Sequence, residues 1–205
     1  MKIAILIEGK TEKSFIPILR EFLQPRLVGR MPRLDPLPYD GRIPTGDKLK
    51  RVVTNLLNAS NNSADAVIAL TDVYTGTNPP AFKDATDAKL KMRKWVGNET
   101  RFYPHAAQYD FEAWLLPYWP DITRLAGHNE APPGHNPEQV NHNNPPAHRI
   151  SNLFRCGSGR KCYVKGRDAA RILRGKDLSV AANACPELKS FMNTILSICN
   201  GNLLA

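Results

Sequence analysis

Two short, almost wholly apolar runs, each closed by an acid, constrain this chain more than any other feature. KIAILI at residues 2–7 stops at Glu8-Gly9, and ADAVIALTD at residues 64–72 ends on Asp72. Runs of this length bounded by turn signals predict buried strands. After the first, Phe15, Ile16, Ile18, Leu19, Phe22 and Leu23 recur at helical spacing, with Thr11 expected as the cap and Pro25 as the end. Leu49, Val52, Val53, Leu56 and Leu57 mark a second helix over 47–58, and 84–95 reads as a third with a basic face. One strand is expected near 34–39, inside the proline- and glycine-rich stretch 28–46. Another is expected over 100–108, weakened by Pro104. Strands alternating with helices predict an α/β fold with a mostly parallel four-stranded sheet flanked by helices. Such sheets bind ligands outside the carboxyl ends of their strands, where Glu8 and Asp72 stand.

The rest of the chain divides by composition. An aromatic-rich helix is expected over 111–125. Residues 128–148 hold five prolines, five asparagines and four of the five histidines, and read as an insertion loop. Helices are expected again at 167–175 and 186–199. The organisation is therefore read as an α/β domain over 1–127, the insertion at 128–148, and a basic, mainly helical part over 149–205 packed on the same domain. No apolar run is long enough to span a membrane, and the first ten residues lack the features of a signal peptide. Cys156, Cys162, Cys185 and Cys199 show no C-x-x-C spacing. The expectation is reduced thiols in a cytoplasmic protein, with Cys156 and Cys162 exposed.

Lys and Arg number 28 against 19 Asp and Glu, a formal charge of +9. The excess points to an anionic partner, DNA or RNA first. Most of it is local, since residues 149–178 carry nine cations and two acids. Arg155, Arg160, Lys161, Lys165 and Arg167 cluster around glycines and Tyr163, a composition suited to a polyphosphate backbone or, more plainly, to a solvated surface.

Three acidic segments are candidates for chemistry. In Glu8-Gly9-Lys10-Thr11-Glu12 the Gly-Lys-Thr triplet matches the end of a phosphate-binding loop. The full motif needs glycine where Ala4 stands, which argues against that reading. What remains is an acid at a strand end, able to hold a divalent cation, ahead of a helix N-terminus. Glu12, in the first helical turn, is read as a partner of the helix dipole. Asp72 is either a turn-capping acid or a second ligand. In Tyr109-Asp110-Phe111-Glu112-Ala113-Trp114, Glu112 is expected to face inward and Asp110 to cap. The histidines at 128, 135, 142 and 148 fit no zinc spacing.

The segments I-E-G-K-T-E (7–12), T-D-V-Y (71–74) and Y-D-F-E-A-W-L-L (109–116), in this order, resemble the bacterial family named domain of unknown function 4276, grouped with Toprim-like folds and related to OLD-type nucleases. The resemblance implies a Toprim-like fold whose acids hold Mg²⁺ or Mn²⁺ for phosphoryl transfer. It maps Glu8 onto the family's Glu and Asp72 onto the first Asp of an Asp-x-Asp pair. Tyr74 stands where the second Asp belongs, and Glu112 is the replacement carboxylate. Y-V-K-G (163–166) resembles the element that carries a late catalytic lysine in OLD-type nucleases, here Lys165. The implied function is a metal-dependent nuclease acting in phage defence with an AAA- or ABC-type ATPase partner. Glu8, Asp72 and Glu112 would be its ligands, Lys165 or Lys10 would neutralise the transition state, and Arg155, Arg160, Lys161 and Arg167 would hold the backbone. The alternative, motivated by Tyr74, is a non-catalytic Toprim-like module that binds nucleic acid or an ATPase.

Overall fold

The computed structural model describes residues 1–74, 80–134, 136–140, 144–159 and 161–205. Strands β1 (Lys2–Ile7), β2 (Arg33–Pro38), β3 (Ala66–Asp72) and β4 (Phe102–Ala107) form one sheet in the order β2-β1-β3-β4. Every pairing is parallel. The prolines sit where a parallel ladder tolerates them. Pro36 and Pro38 lie on one edge strand and Pro104 on the other, so a missing N–H need not break a central ladder, and each edge is blunted against pairing with another chain.

Side chains alternate across the sheet. Ile3, Ile5, Ile7, Ile68 and Leu70 enter the larger core, against helix α1 (Lys10–Leu23) and the C-terminal helices. Ala4, Leu6, Val67 and Ala69 enter the other, against α2 (Gly46–Asn58) and α3 (Ala85–Val96). The result is a three-layer α/β fold. Gly9, in extended conformation, takes the capping place expected of Thr11, which is buried one residue into the helix. Asp84 caps α3 by accepting the Asp87 N–H at 2.8 Å.

Residues Phe111–Tyr118 form a 3-10 helix, and only Trp119–Ala126 (α4) is α-helical. The single helix expected over 111–125 is divided because Pro117 has no N–H to give the Ala113 carbonyl. That carbonyl lies 3.9 Å from the Cys185 thiol. Two further helices were not foreseen, α5 (Pro146–Cys156) and α7 (Leu178–Ala184), and they flank α6 (Arg167–Leu173) ahead of α8 (Pro186–Ile198). Within 128–148, the Glu138 carboxylate accepts the Trp114 indole N–H at 3.2 Å and the Glu187 backbone N–H at 3.1 Å. It thereby joins the 3-10 helix to the start of α8. Among the described cysteines Cys156 and Cys162 are exposed, Cys185 is buried, and all four are free. Among the described residues no helix is long and apolar enough to cross a membrane.

One close approach ties the C-terminal part to α1. Gly166 has φ +72°, and a Cβ placed on it would lie 3.0 Å from the Lys10 carbonyl oxygen and 3.2 Å from Ser14 Oγ. Gly175 has a similar φ of +69° but open space around it. Gly166→Ala is therefore expected to cost about 1–3 kcal/mol, and Gly175→Ala about 1 kcal/mol from backbone strain alone. Thermal unfolding of the two variants checks this, and equal losses would contradict the close approach.

Candidate functional site

The strand order places β1 and β3 side by side, with their crossovers leaving in opposite directions: β1 leads to β2 on one side and β3 to β4 on the other. Beyond the carboxyl ends of such a pair a crevice opens. Glu8 follows β1 and Asp72 ends β3, so both carboxylates enter it. The exits of β3 and β4 stay paired past the sheet, as Val73 N–H donates to Ala107 O at 3.1 Å and Tyr74 N–H to Tyr109 O at 2.6 Å. Tyr109 takes φ +69°, a left-handed conformation unusual for this residue type. It turns the chain so that Asp110 and Glu112 fall beside Asp72, whose Oδ1 accepts the Phe111 N–H at 3.1 Å.

The crevice is a cleft of about 640 Å³ lined by Glu8, Glu12, Asp72, Glu112 and Lys165, with Lys10, Lys13 and Tyr39 among its other walls. Asp110 is buried behind it and does not cap its own 3-10 helix. Its Oδ2 accepts the Ala147 N–H at 3.1 Å, which anchors the start of α5. Glu112 is 1 % exposed. Its Oε1 accepts from the Tyr163 hydroxyl at 3.3 Å and lies 3.6 Å from Lys165 Nζ. Glu112 Oε2 and Asp110 Oδ1 are buried without a hydrogen-bond partner among the described residues. Glu8 Oε1 accepts from the Thr71 hydroxyl.

Burial of so many like charges shows in their proton affinities. Glu8 is pushed up to about 7, first by burial and then by the charge of Glu12, against the Thr71 hydrogen bond and Arg42. Asp110 is also pushed up to about 7, by burial and by Glu112, against the Ala147 N–H. Asp72 is raised well above the usual carboxylate range by burial and by Glu12, Glu8, Asp110 and Glu112. Burial also raises Glu12 and Glu112, with Lys165 opposing. Burial works to lower the Lys165 ammonium, but the surrounding acids outweigh it and hold its pKa above the ordinary value. Repulsion of this kind is relieved by a proton or a cation.

The donor chemistry fits a hard divalent cation: all oxygen, with the Oε2 of Glu112 unpartnered among the described residues. Among the described residues, no group of three His, Cys, Asp or Glu is gathered so as to hold a metal by itself. A Mg²⁺ site does not need such a cage, since Mg²⁺ usually takes one or two carboxylates and completes its shell with water and substrate phosphate.

A model of the family described as domain of unknown function (DUF4276) matches residues 7–196. The chain belongs to that family. Among solved structures, the C-terminal region of the Burkholderia pseudomallei OLD protein superposes with a TM-score of 0.54 at 13 % identity, covering 96 % of this chain and 98 % of that one. The C-terminal region of the Xanthomonas campestris pv. campestris OLD protein gives a TM-score of 0.50 at 14 % identity, covering 97 % and 95 %. At these identities the likeness is one of fold. None of the curated proteins compared matches the chain.

The structure brings Glu8, Asp72, Glu112, Lys165 and Lys10 to one cleft. It places Lys161 and Arg167 on a separate groove across the 161–167 loop from Lys165. Arg155 is exposed on α5 and bonded to Asn152. Arg160, His135 and His142 lie outside the described residues. Tyr74 is 45 % exposed and does not line the cleft. Three site residues went unmarked or were given another role in the sequence reading. Glu12 does sit at the helix N-terminus, its Oε2 3.4 Å from where a Gly9 Cβ would be, but it is also buried in the cleft wall. Arg42, from the loop after β2, acts on Glu8 through its charge. Asp168, fully buried, accepts the Val164 N–H at 2.8 Å and binds Arg167 and Arg171. It so fixes the loop that carries Lys165. A charged residue inside a basic run carries no sequence signal of burial, and no spacing rule points to Arg42.

Because the folded-state values of Glu8 and Asp110 lie above those of the unfolded chain, these two groups bind more protons in the folded state between about pH 4 and pH 7. Together with the other raised carboxyls they outweigh His105, which burial lowers to about 3 and which works the other way below about pH 6.5. Stability without metal is then greatest at the acid end of this window and falls as pH rises through 7. In EDTA, melting temperature is expected to drop by several degrees from pH 5 to pH 8, at about 2–4 °C per kcal/mol. Asp110→Asn is expected to flatten the drop. A melting temperature that rises over this interval would refute the assignment.

Proposed function

We propose that the chain is a metal-dependent nuclease that hydrolyses phosphodiester bonds of nucleic acid in the cleft at the ends of β1 and β3. The observation that carries the reading is the convergence of Glu8, Glu12, Asp72 and Glu112 on one cleft, the three glutamates buried, Asp72 half-buried and all four mutually repelling, with Lys165 3.6 Å from Glu112. Glu8, Asp72 and Glu112 are the carboxylates from which one or two would hold Mg²⁺ or Mn²⁺, with water and substrate phosphate completing its shell, and Glu12 adds a fourth carboxylate to the cleft where Tyr74 supplies none. When bound, the metal would polarise the phosphoryl oxygen and lower the pKa of a water. Lys165 would neutralise negative charge growing on the phosphate, in a site whose burial strengthens that interaction. Lys10, exposed at the first turn of α1, would meet the same phosphate from the opposite wall. Tyr163 and the pairing with Glu112 hold Lys165 on the cleft side of its loop.

The +9 charge supports a polyanionic substrate over a small one. The phage-defence setting and the ATPase partner implied by the resemblance belong to the same reading, and co-purification with such an ATPase tests them. A second reading, a non-catalytic binding module, is favoured by Tyr74 and by the absence, among the described residues, of a ready three-ligand group.

The test incubates the protein with single- and double-stranded DNA and with RNA in Mg²⁺ or Mn²⁺. Cleavage is expected, with Glu8→Ala and Asp72→Ala each lowering the rate about 100-fold or more. Calorimetry is expected to show Mn²⁺ binding at tens of micromolar or tighter, about −6 kcal/mol, lost in Asp72→Ala. Cleavage that survives both substitutions would remove the site from the reaction. Metal-independent nucleic-acid binding without cleavage would establish the second reading.

A further inference from the structure

Behind the loop that presents Lys165 lies a cluster the cleft does not use. The Asp168 side chain is fully buried, and it accepts from Arg167 Nε at 2.9 Å, Arg167 Nη2 at 3.0 Å, Arg171 Nη1 at 3.3 Å and the Val164 N–H at 2.8 Å. Neither arginine is covered by this pairing, since their side chains remain 58 % and 51 % exposed. Arg167 and Arg171 line, with Lys161, Cys162 and Val164, an open groove of about 620 Å³.

One arginine would neutralise Asp168. Two, with Lys161 beside them, leave a cationic surplus at the groove. A guanidinium has five donors in a planar fork, and Asp168 engages only part of each fork. The remaining N–H groups belong to side chains whose conformations are already fixed by the buried carboxylate. That ordering is met on folding, which lowers the cost of binding a ligand. A fork of this kind matches the oxygens of a phosphate. The first arginine already offsets the charge of Asp168, and the second adds a cation that stays half-exposed at the groove.

We propose that Arg167 and Arg171, oriented by Asp168, form with Lys161 a docking site for backbone phosphates of a nucleic acid that also reaches the carboxylate cleft. The site rests on the nuclease reading for the identity of the polyanion. The 161–167 segment connects the two places: Lys165 faces the cleft, while Lys161, Val164 and Arg167 face the groove. A strand crossing this ridge would be gripped beside the phosphate presented to Glu8 and Asp72.

The test measures fluorescence anisotropy of labelled single- and double-stranded 20-mers in EDTA over a range of salt, so that no cleavage intervenes. Arg171→Ala is expected to weaken binding about tenfold and to reduce the slope of log affinity against log salt by about 1. Arg171→Lys is expected to keep the slope and lose part of the affinity, because it keeps charge without the fork. Mn²⁺ affinity by calorimetry is expected to stay at the wild-type value in both. Wild-type affinity and slope in Arg171→Ala would overturn the proposal. If that variant melts well below the wild type, Arg171→Lys decides, and undiminished affinity there would overturn fork recognition. An acidic peptide that competes as tightly as DNA would assign the groove to a protein partner and overturn it as well. A wild type that binds DNA through Arg171 but never cleaves it would remove the nuclease reading and leave the docking site. A wild type that binds neither form of DNA nor an RNA 20-mer would remove both.

Discussion

Five carboxylates, those of Glu8, Glu12, Asp72, Asp110 and Glu112, are forced together at the point where the sheet reverses its strand order, and the surrounding structure is organised by that crowding. Each is withdrawn from bulk water, and the charges of its neighbours add to the cost of ionising it. A fold with nothing to gain from the arrangement would place a leucine or a serine at several of these positions. Instead the cost is offset by hydrogen bonds arriving from separate elements: the Thr71 hydroxyl, the Phe111 and Ala147 backbone N–H groups, and the Tyr163 hydroxyl. Buried side-chain and backbone partners of this kind fix where a carboxylate points, and the buried Oε2 of Glu112 is left without a partner among the described residues.

The same bonds join parts of the chain that are far apart in sequence. Asp110 receives the N–H of Ala147, so the start of α5 is fastened to the back of the cleft. Gly166 lets the Tyr163–Lys165 segment press against the first turn of α1, where any side chain would meet the Lys10 carbonyl. Glu138 holds Trp114 and the first turn of α8 together. The larger core, which includes residues from β1, α1 and α5 to α8, is continuous beneath these contacts. The C-terminal part therefore supplies Lys165, the cation that faces Glu112.

How much of this was readable beforehand follows from the range of the interactions involved. The strands announced themselves, because a buried parallel strand must be apolar throughout, and Glu8 and Asp72 were conspicuous as acids closing such runs. The order of elements up to α3 depended on local periodicity and was correctly anticipated within a residue or two. Helix α5 carries Ala147, Ile150, Leu153 and Phe154 at helical spacing, a signal masked by the two prolines before it, which in fact occupy positions that tolerate them. The 3-10 conformation of 111–118 required weighing Pro117 against a strongly apolar pattern. The burial of Glu12 and Asp168 and the approach of Arg42 to Glu8 arise from packing between distant segments, and no periodicity encodes them.

The formal charge of the chain hides an arrangement in which sign is separated over the thickness of a single loop. On one side of residues 161–167 the surface is acidic and would repel a phosphodiester. On the other side two arginines and a lysine would attract it. Neither face suffices for hydrolysis. A basic groove alone concentrates the polyanion without changing its bonds, and an acidic cleft alone excludes it. In the proposed reaction a divalent cation held among the carboxylates would change the sign of the cleft locally, and a strand held by the groove would be offered to a centre that attracts it. Lys165 belongs to both faces, since its backbone is part of the basic ridge and its ammonium is drawn into the cleft by Glu112. Its position explains why a chain with an excess of cations elsewhere places one of them against a buried glutamate.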